Sequence, residues 1–318
     1  MVRAFLIGAG ATKAQFPNAP LSSNFLKIIK ETNPPIFAAI NKVARQLILE
    51  DITKYSIEDL LFLAGSLKQT QEISLLTNVQ MAIYDVLTKT TFSDEINIYP
   101  QGPETTFKCL LKDERLNPED FFLTLNYDLY LDREIYAIQQ SIDYGFPMEA
   151  IDSCNIKRNQ EKEFSIFHLH GSVNWEISKN NGKVAIQNRA ISPTLNRYSS
   201  NVCIIPPGIK KLNSIFQILW MEAEKRIEEA DELILIGCSL NRDDRELLRL
   251  IHKFFDDESN VKIIHYADEN QSSYHNYEEF FKTWEDYPFG FDIVHPKKRF
   301  GDGAIDFIFN DSEYNIPI

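Results

Sequence analysis

The amino-acid sequence predicts an α/β protein built on a doubly wound parallel sheet with a large helical insertion. Short apolar runs at residues 4–7, 121–125, 164–169, 232–236 and 261–266 have the length and continuity of strands buried on both faces. Each run ends in small or polar residues: Gly8-Ala9-Gly10-Ala11-Thr12, Asn126-Tyr127-Asp128, His170-Gly171-Ser172, Gly237-Cys238-Ser239 and Ala267-Asp268. Strands of open sheets end this way where they form ligand-binding crevices. Segments of helical period separate the runs, and such alternation requires parallel pairing.

The first strand enters a turn of the phosphate-binding kind at Gly8. From residue 22 to about 116 the pattern is helical: Phe25, Ile28 and Ile29 share one face, and Ile57, Leu60, Leu61 and Ala64 another, with Ser56 as N-cap. Pro34-Pro35 breaks the first of these helices. The sequence thus predicts a helical insertion at about 33–118, closed by Asn117-Pro118. A helix follows near 130–140, then a surface loop at 152–163. The polar, Asn-rich stretch at about 176–203 reads as a lid or small subdomain, and helices are expected at 212–229 and 242–255. With no internal repeat and no Pro/Gly-rich linker, residues 1–318 read as a single domain.

Composition narrows the function. Lys plus Arg number 33 against 46 Asp plus Glu, a net charge of -13, which argues against a direct grip on nucleic-acid phosphate. The longest apolar stretches are about ten residues, half of what a membrane-spanning helix needs. The apolar start places its cleavage-like Ala9-Gly10-Ala11 too early for a signal peptide. Cysteines at 109, 154, 203 and 238 form no C-x-x-C pair, so no zinc knuckle or redox dithiol is expected, and scattered thiols suit a reducing cytoplasm.

The glycine turn at 8–12 suits close approach of a pyrophosphate, and equally an ordinary strand-to-helix turn. Asn126 and Asp128 offer a ribose hydroxyl or an amide a partner, and equally an Asx cap for the next helix. His170, between an apolar strand and a flexible Gly-Ser, is placed to accept a proton near neutral pH. His168 shares its face if the strand continues, which raises a two-histidine metal pair, although no third ligand accompanies it. Gly237-Cys238-Ser239 forms a second glycine turn, a phosphate or ribose contact or plain punctuation.

Taken in order, Gly8-Ala9-Gly10-Ala11-Thr12, the Thr124-Leu125-Asn126-Tyr127-Asp128 run, His170-Gly171-Ser172-Val173-Asn174-Trp175 and Gly237-Cys238-Ser239-Leu240 resemble the sirtuin superfamily. The N-Y-D form, the H-G-S-V-N-W run and the helical insertion look like the sirtuin-like NAD hydrolases of bacterial antiviral defence. The resemblance implies a Rossmann-like fold and NAD as substrate. It implies that Gly8, Ala9, Gly10, Ala11 and Thr12 line the pyrophosphate. Asn126 would order the nicotinamide ribose or the attacking water, Asp128 would receive the carboxamide, and His170 would be the catalytic base. Gly237, Cys238 and Ser239 fall on the turn touching the adenosine ribose and phosphate, and Tyr266 and Asp268 on the adenine side. It also implies a homo-oligomer or a partner protein of a defence system, since an amphipathic insertion needs cover. Deacylating sirtuins carry two C-x-x-C pairs after the histidine and an arginine-bearing loop after the first turn. Residues 176–203 hold only Cys203, and residues 14–20 hold no arginine. No zinc is therefore expected, and NAD glycohydrolysis is favoured over NAD-dependent deacylation or a silent NAD or ADP-ribose sensor.

Overall fold

The computed structural model describes residues 1–16, 19–46, 51–64, 69–91, 105–139, 141–145, 149–150, 164–177, 184–186, 202–204, 214–240, 244–254, 260–264, 291–294 and 308–309. In chain order these form β1 (Arg3–Ile7), α1 (Ala9–Gln15), α2 (Phe25–Thr32), α3 (Pro34–Ala44), α4 (Ile57–Ala64), α5 (Gln69–Thr91) and α6 (Thr106–Lys112). There follow β2 (Phe121–Thr124), α7 (Tyr130–Gln139), β3 (Glu149–Ala150), β4 (Ser165–His168), β5 (Gly171–Ile177), β6 (Val184–Ile186) and β7 (Val202–Ile204). The last are α8 (Ser214–Glu228), β8 (Glu232–Ile236), α9 (Arg245–Phe254), β9 (Asn260–Ile264) and β10 (Phe291–Val294).

Six strands make one sheet in the order β10-β9-β8-β1-β2-β4, and every pair is parallel. From β1 the chain winds outward to β2 and β4, then returns to the other side of β1 for β8, β9 and β10. The expected doubly wound sheet is therefore present, with its switch point between β1 and β8. β2, β4 and β8 are buried throughout, and β1 from Ala4 onward, because helices cover both faces. Phe5 and Phe122, partners in register, stack with ring centroids 5.1 Å apart. Register is fixed at the amino edge, where Arg3 donates to Glu232 at 2.9 Å and its backbone N–H to the buried Asp120 at 2.7 Å.

A second sheet is ordered β3-β6-β5-β7, and it takes in the described strands of the stretch at 176–203, most of which lies outside the described residues. β5 begins at Gly171, so the H-G-S-V-N-W run after its histidine is itself strand, antiparallel to β6 and β7. Alternating patterning is missing there because residues 171–175 are all buried, which hid the sheet from a period-2 reading. Pro34 ends α2 and opens α3 at its first position, where a missing N–H costs nothing. Ser56 caps α4 as expected, in a reciprocal pair with Asp59 (3.0 and 2.7 Å).

Helices α2 to α5 bury Leu26, Ile29, Ile40, Leu60, Leu61, Val79 and Ile83 in a second apolar cluster that also takes in Tyr127, Leu129, Val173 and Ile204. Among the described residues, the apolar faces of α2 to α5 thus cover one another and part of the second sheet. The large apolar side chains exposed among the described residues are Met1, Ile138, Ile218 and Met221, on the amino terminus, α7 and α8.

Thr105 caps α6 and donates its hydroxyl to Glu134 of α7 at 2.6 Å. The other carboxyl oxygen of Glu134 is buried without a partner, and burial raises the group from 4.5 to about 7. The folded chain therefore binds this proton more tightly than the unfolded chain. The resulting stability is fully present below pH 4.5 and is lost as pH rises through about 7. The thermal midpoint should fall between about pH 5 and pH 8, and Glu134→Gln should flatten that slope. Equal slopes in the two proteins would refute this.

Candidate active site at the sheet switch point

Ile7 pairs with Thr124 and Ile236, and Thr124 with His168, so four strands end level. The ladder runs one step further through Gly8 N–H to Ile236 O (2.9 Å), Leu125 N–H to Ile7 O (3.0 Å) and Leu169 N–H to Thr124 O (3.0 Å). Every motif beyond these strands therefore emerges at the carboxyl edge around the switch point, where open α/β sheets bind ligands.

The two glycine turns pack on each other. Gly10 donates to Gly237 O at 3.0 Å, and a Cβ at Gly237, whose φ is +61°, would lie 2.1 Å from Ala11 N. The amides of Gly8 and Gly10 are thus engaged by β8 and its turn. Ala9 and Ala11 belong to the first turn of α1. Cys238 is buried and donates Sγ to Leu6 O at 3.2 Å, with its thiol pushed up by burial, while Ser239 is exposed. Tyr266 and Asp268 lie outside the described residues.

What crosses from the first turn to β2 is the side chain of Thr12, 2% exposed. Its hydroxyl accepts from Asn126 Nδ2 at 3.0 Å and bonds the Asp128 carboxyl. Asp128 also caps α7 through Tyr130 N–H at 3.1 Å, so the Asx reading holds for Asp128 and not for the Asn126 side chain. Burial, with Asp132 adding to it, raises Asp128 to about 6.

The two histidines part company because β4 stops at His168. His168 is wholly buried, with Nδ1 3.1 Å from Asn126 O and Nε2 3.0 Å from Asp132. Both partners are acceptors, so only the imidazolium satisfies them. Burial opposes that charge, but Asp132 and the Asn126 carbonyl outweigh it and the pKa is raised. Asp132 also accepts from Tyr144 Oη (2.9 Å), which accepts from Asn174 Nδ2 (3.1 Å), and Asn174 Oδ1 in turn accepts from the Ser172 hydroxyl (2.7 Å). His170 stands in the turn beyond, its Nε2 2.9 Å from Asp244 Oδ2, its ring 6.3 Å from that of Tyr127. The turn needs Gly171, at φ +77°, since a Cβ there would meet Cys203 O at 2.0 Å. The rings engage different carboxylates, Asp132 and Asp244. Among the described residues no three His, Cys, Asp or Glu are grouped to hold a metal.

Sequence reasoning missed Asp132, Tyr144, Asn174, Asp244 and Glu58. Asp244 carries only the signal of a helix N-cap, and it does cap α9 through Leu247 N–H at 3.3 Å. Glu58, half-buried on α4, is raised to about 7 by burial, with Asp59 and Asp244 contributing.

No protein-family model matches this chain, and no curated protein matches it. Solved structures similar to it include a Sir2 homolog in complex with NAD, 11% identical, covering 97% of this chain and 86% of that one at a TM-score of 0.49. A Sir2 homologue mutant with 2'-O-acetyl ADP-ribose is 13% identical, covering 90% and 92% at 0.45. Another mutant with ADP-ribose is 13% identical, covering 85% and 82% at 0.43.

His168→Ala should be far from neutral, because it strands the Asp132 carboxylate and frees the Asn126 carbonyl. Breaking a buried pair costs about 3–5 kcal/mol. Denaturant titration should show a loss of that size for His168→Ala and a clearly smaller one for Asp132→Asn. A loss below about 1 kcal/mol for His168→Ala would sink this account.

Proposed function

We propose that the chain is an NAD glycohydrolase, acting at the carboxyl edge of the parallel sheet around the β1–β8 switch point. The observation that carries this reading is the convergence at one sheet edge of an amide and a carboxyl bridged by Thr12 with a carboxylate-paired histidine. The residues are those through which the sequence resembles sirtuins. The nicotinamide–ribose bond breaks with its electron pair leaving on the nicotinamide nitrogen. Water then adds to the anomeric carbon of an oxocarbenium-like centre, giving nicotinamide, ADP-ribose and a proton. Asp128 would hold the departing carboxamide, Asn126 would fix the ribose or the water, and His170 would take the water's proton. A positioned water captures the same kind of centre in glycoside hydrolysis.

In this reading NAD is substrate, no zinc is needed, and the biological setting is NAD depletion in bacterial antiviral defence, in the cytoplasm, with a homo-oligomer or partner protein. Cys203 and Cys238 are buried thiols pushed up by burial, poor metal ligands in that state. Elemental analysis should find well under one zinc per chain, and stoichiometric zinc would count against the reading.

Incubated with NAD, the purified chain should release nicotinamide and ADP-ribose, resolved by chromatography. Asn126→Ala and His170→Ala should each lower the rate by about 10²–10⁴ while retaining a cooperative melt. A wild-type protein that spares free NAD but consumes it with an acylated peptide would make it a deacylase instead. Tight binding of NAD without turnover would make it a sensor.

A further inference from the structure

We infer that Asp244 is the positioning residue of His170: its carboxylate holds the imidazole in one tautomer, with the proton on Nε2 and the lone pair on Nδ1. The inference deepens the hydrolase reading and rests on it for the role of His170 as base.

The two side chains come from turns far apart in sequence, one after β4 and one after β8, and both are nearly sealed from solvent, at 4% exposure each. Oδ2 of Asp244 is 2.9 Å from Nε2 of His170, and Oδ1 accepts the Leu247 amide at 3.3 Å. Each carboxyl oxygen thus has a distinct task, and the helix amide fixes the plane in which the other oxygen meets the ring. The backbone of the histidine turn is held as well. Leu169 N–H bonds Thr124 O, and Leu169 O takes the indole N–H of Trp220 at 3.1 Å. A carboxylate only accepts, so a neutral ring beside it must donate from Nε2. The nitrogen that receives a proton is then Nδ1, the reverse of the arrangement in serine hydrolase triads. Among the described residues, ionisable groups about the pair include Tyr127, whose ring lies 6.3 Å from that of His170, and Glu58 of α4, which interacts with Asp244 and Tyr127.

An N-cap role alone and a positioning role separate cleanly in Asp244→Asn, because asparagine caps helices as well as aspartate does. If capping is all Asp244 does, this variant is silent. If it orients His170, the amide no longer favours one tautomer or stabilises the imidazolium. The readout is NMR of protein labelled with ¹⁵N-histidine. The chain has six histidines, and the His170 signals are those lost in His170→Gln. Wild type should show the Nε2–H tautomer. In Asp244→Asn that preference should collapse, the His170 titration midpoint should drop by about one pH unit, and NAD consumption should fall about 10²-fold or more. Asp244→Glu should recover part of both. A His170 tautomer and midpoint unchanged in Asp244→Asn, or a wild-type ring protonated on Nδ1, would overturn the inference. A tautomer that responds as expected in a protein that does not consume NAD supports the pairing and overturns only the hydrolase reading.

Discussion

The close backbone approach of the β1–α1 turn to the β8 turn is the constraint on which the site depends. At Gly237 a side chain of any size would strike Ala11, and Gly8 and Gly10 donate to Ile236 and Gly237 at 2.9 and 3.0 Å. The contact seals the switch point between the two halves of the sheet and sets the direction in which α1 leaves it. That direction presents Thr12 to Asn126 and Asp128. It also redefines the glycine turn: two of its amides brace the sheet, and a hydroxyl rather than a row of N–H groups links it to the polar residues after β2.

Beneath that edge, polar burial is organised in two tiers. The lower tier, His168 with Asp132, Tyr144, Asn174 and Ser172, lies within the protein, and its members satisfy one another. It holds the Asn126 carbonyl from below, so the loop bearing Asn126 is anchored through its main chain while its amide remains turned to Thr12. The upper tier, His170 with Asp244, sits beyond the carboxyl ends of β4 and β8. A buried polar network is costly unless complete, and the lower tier earns its place by fixing a loop that apolar packing alone would leave free to rotate.

Much of this was legible in the sequence. Continuous apolar runs with polar ends identified the parallel strands, and the glycine turns fell where the sheet reverses. What escaped was whatever depends on residues distant in sequence meeting in space. Asp132 reads as one more acidic residue in the first turn of a helix, and only the register of β4 against β2 brings it to His168. Asp244 reads as a cap, which it is, and nothing local announces His170. The alternation rule failed for β5 because both apolar clusters cover it, Trp175 lying in that of the parallel sheet and Val173 in that of the insertion.

The insertion bears on the site more directly than its lack of motifs suggests. Tyr127, central in the N-Y-D run, belongs to the apolar cluster of α2 to α5, and so do Leu129, Val173 and Ile204. Val173 N–H bonds Tyr127 O at 3.0 Å, so this cluster grips the candidate site through both the β2 loop and the strand that follows His170. Glu58 adds a titratable group on α4 whose charge acts on Asp244 and Tyr127. A displacement of α4 would therefore alter both the electrostatics at Asp244 and the packing of the Tyr127 ring against His170. The helices that carry no recognisable motif are built into the surroundings of the proton-accepting group, and no separate linkage is needed to connect them to it.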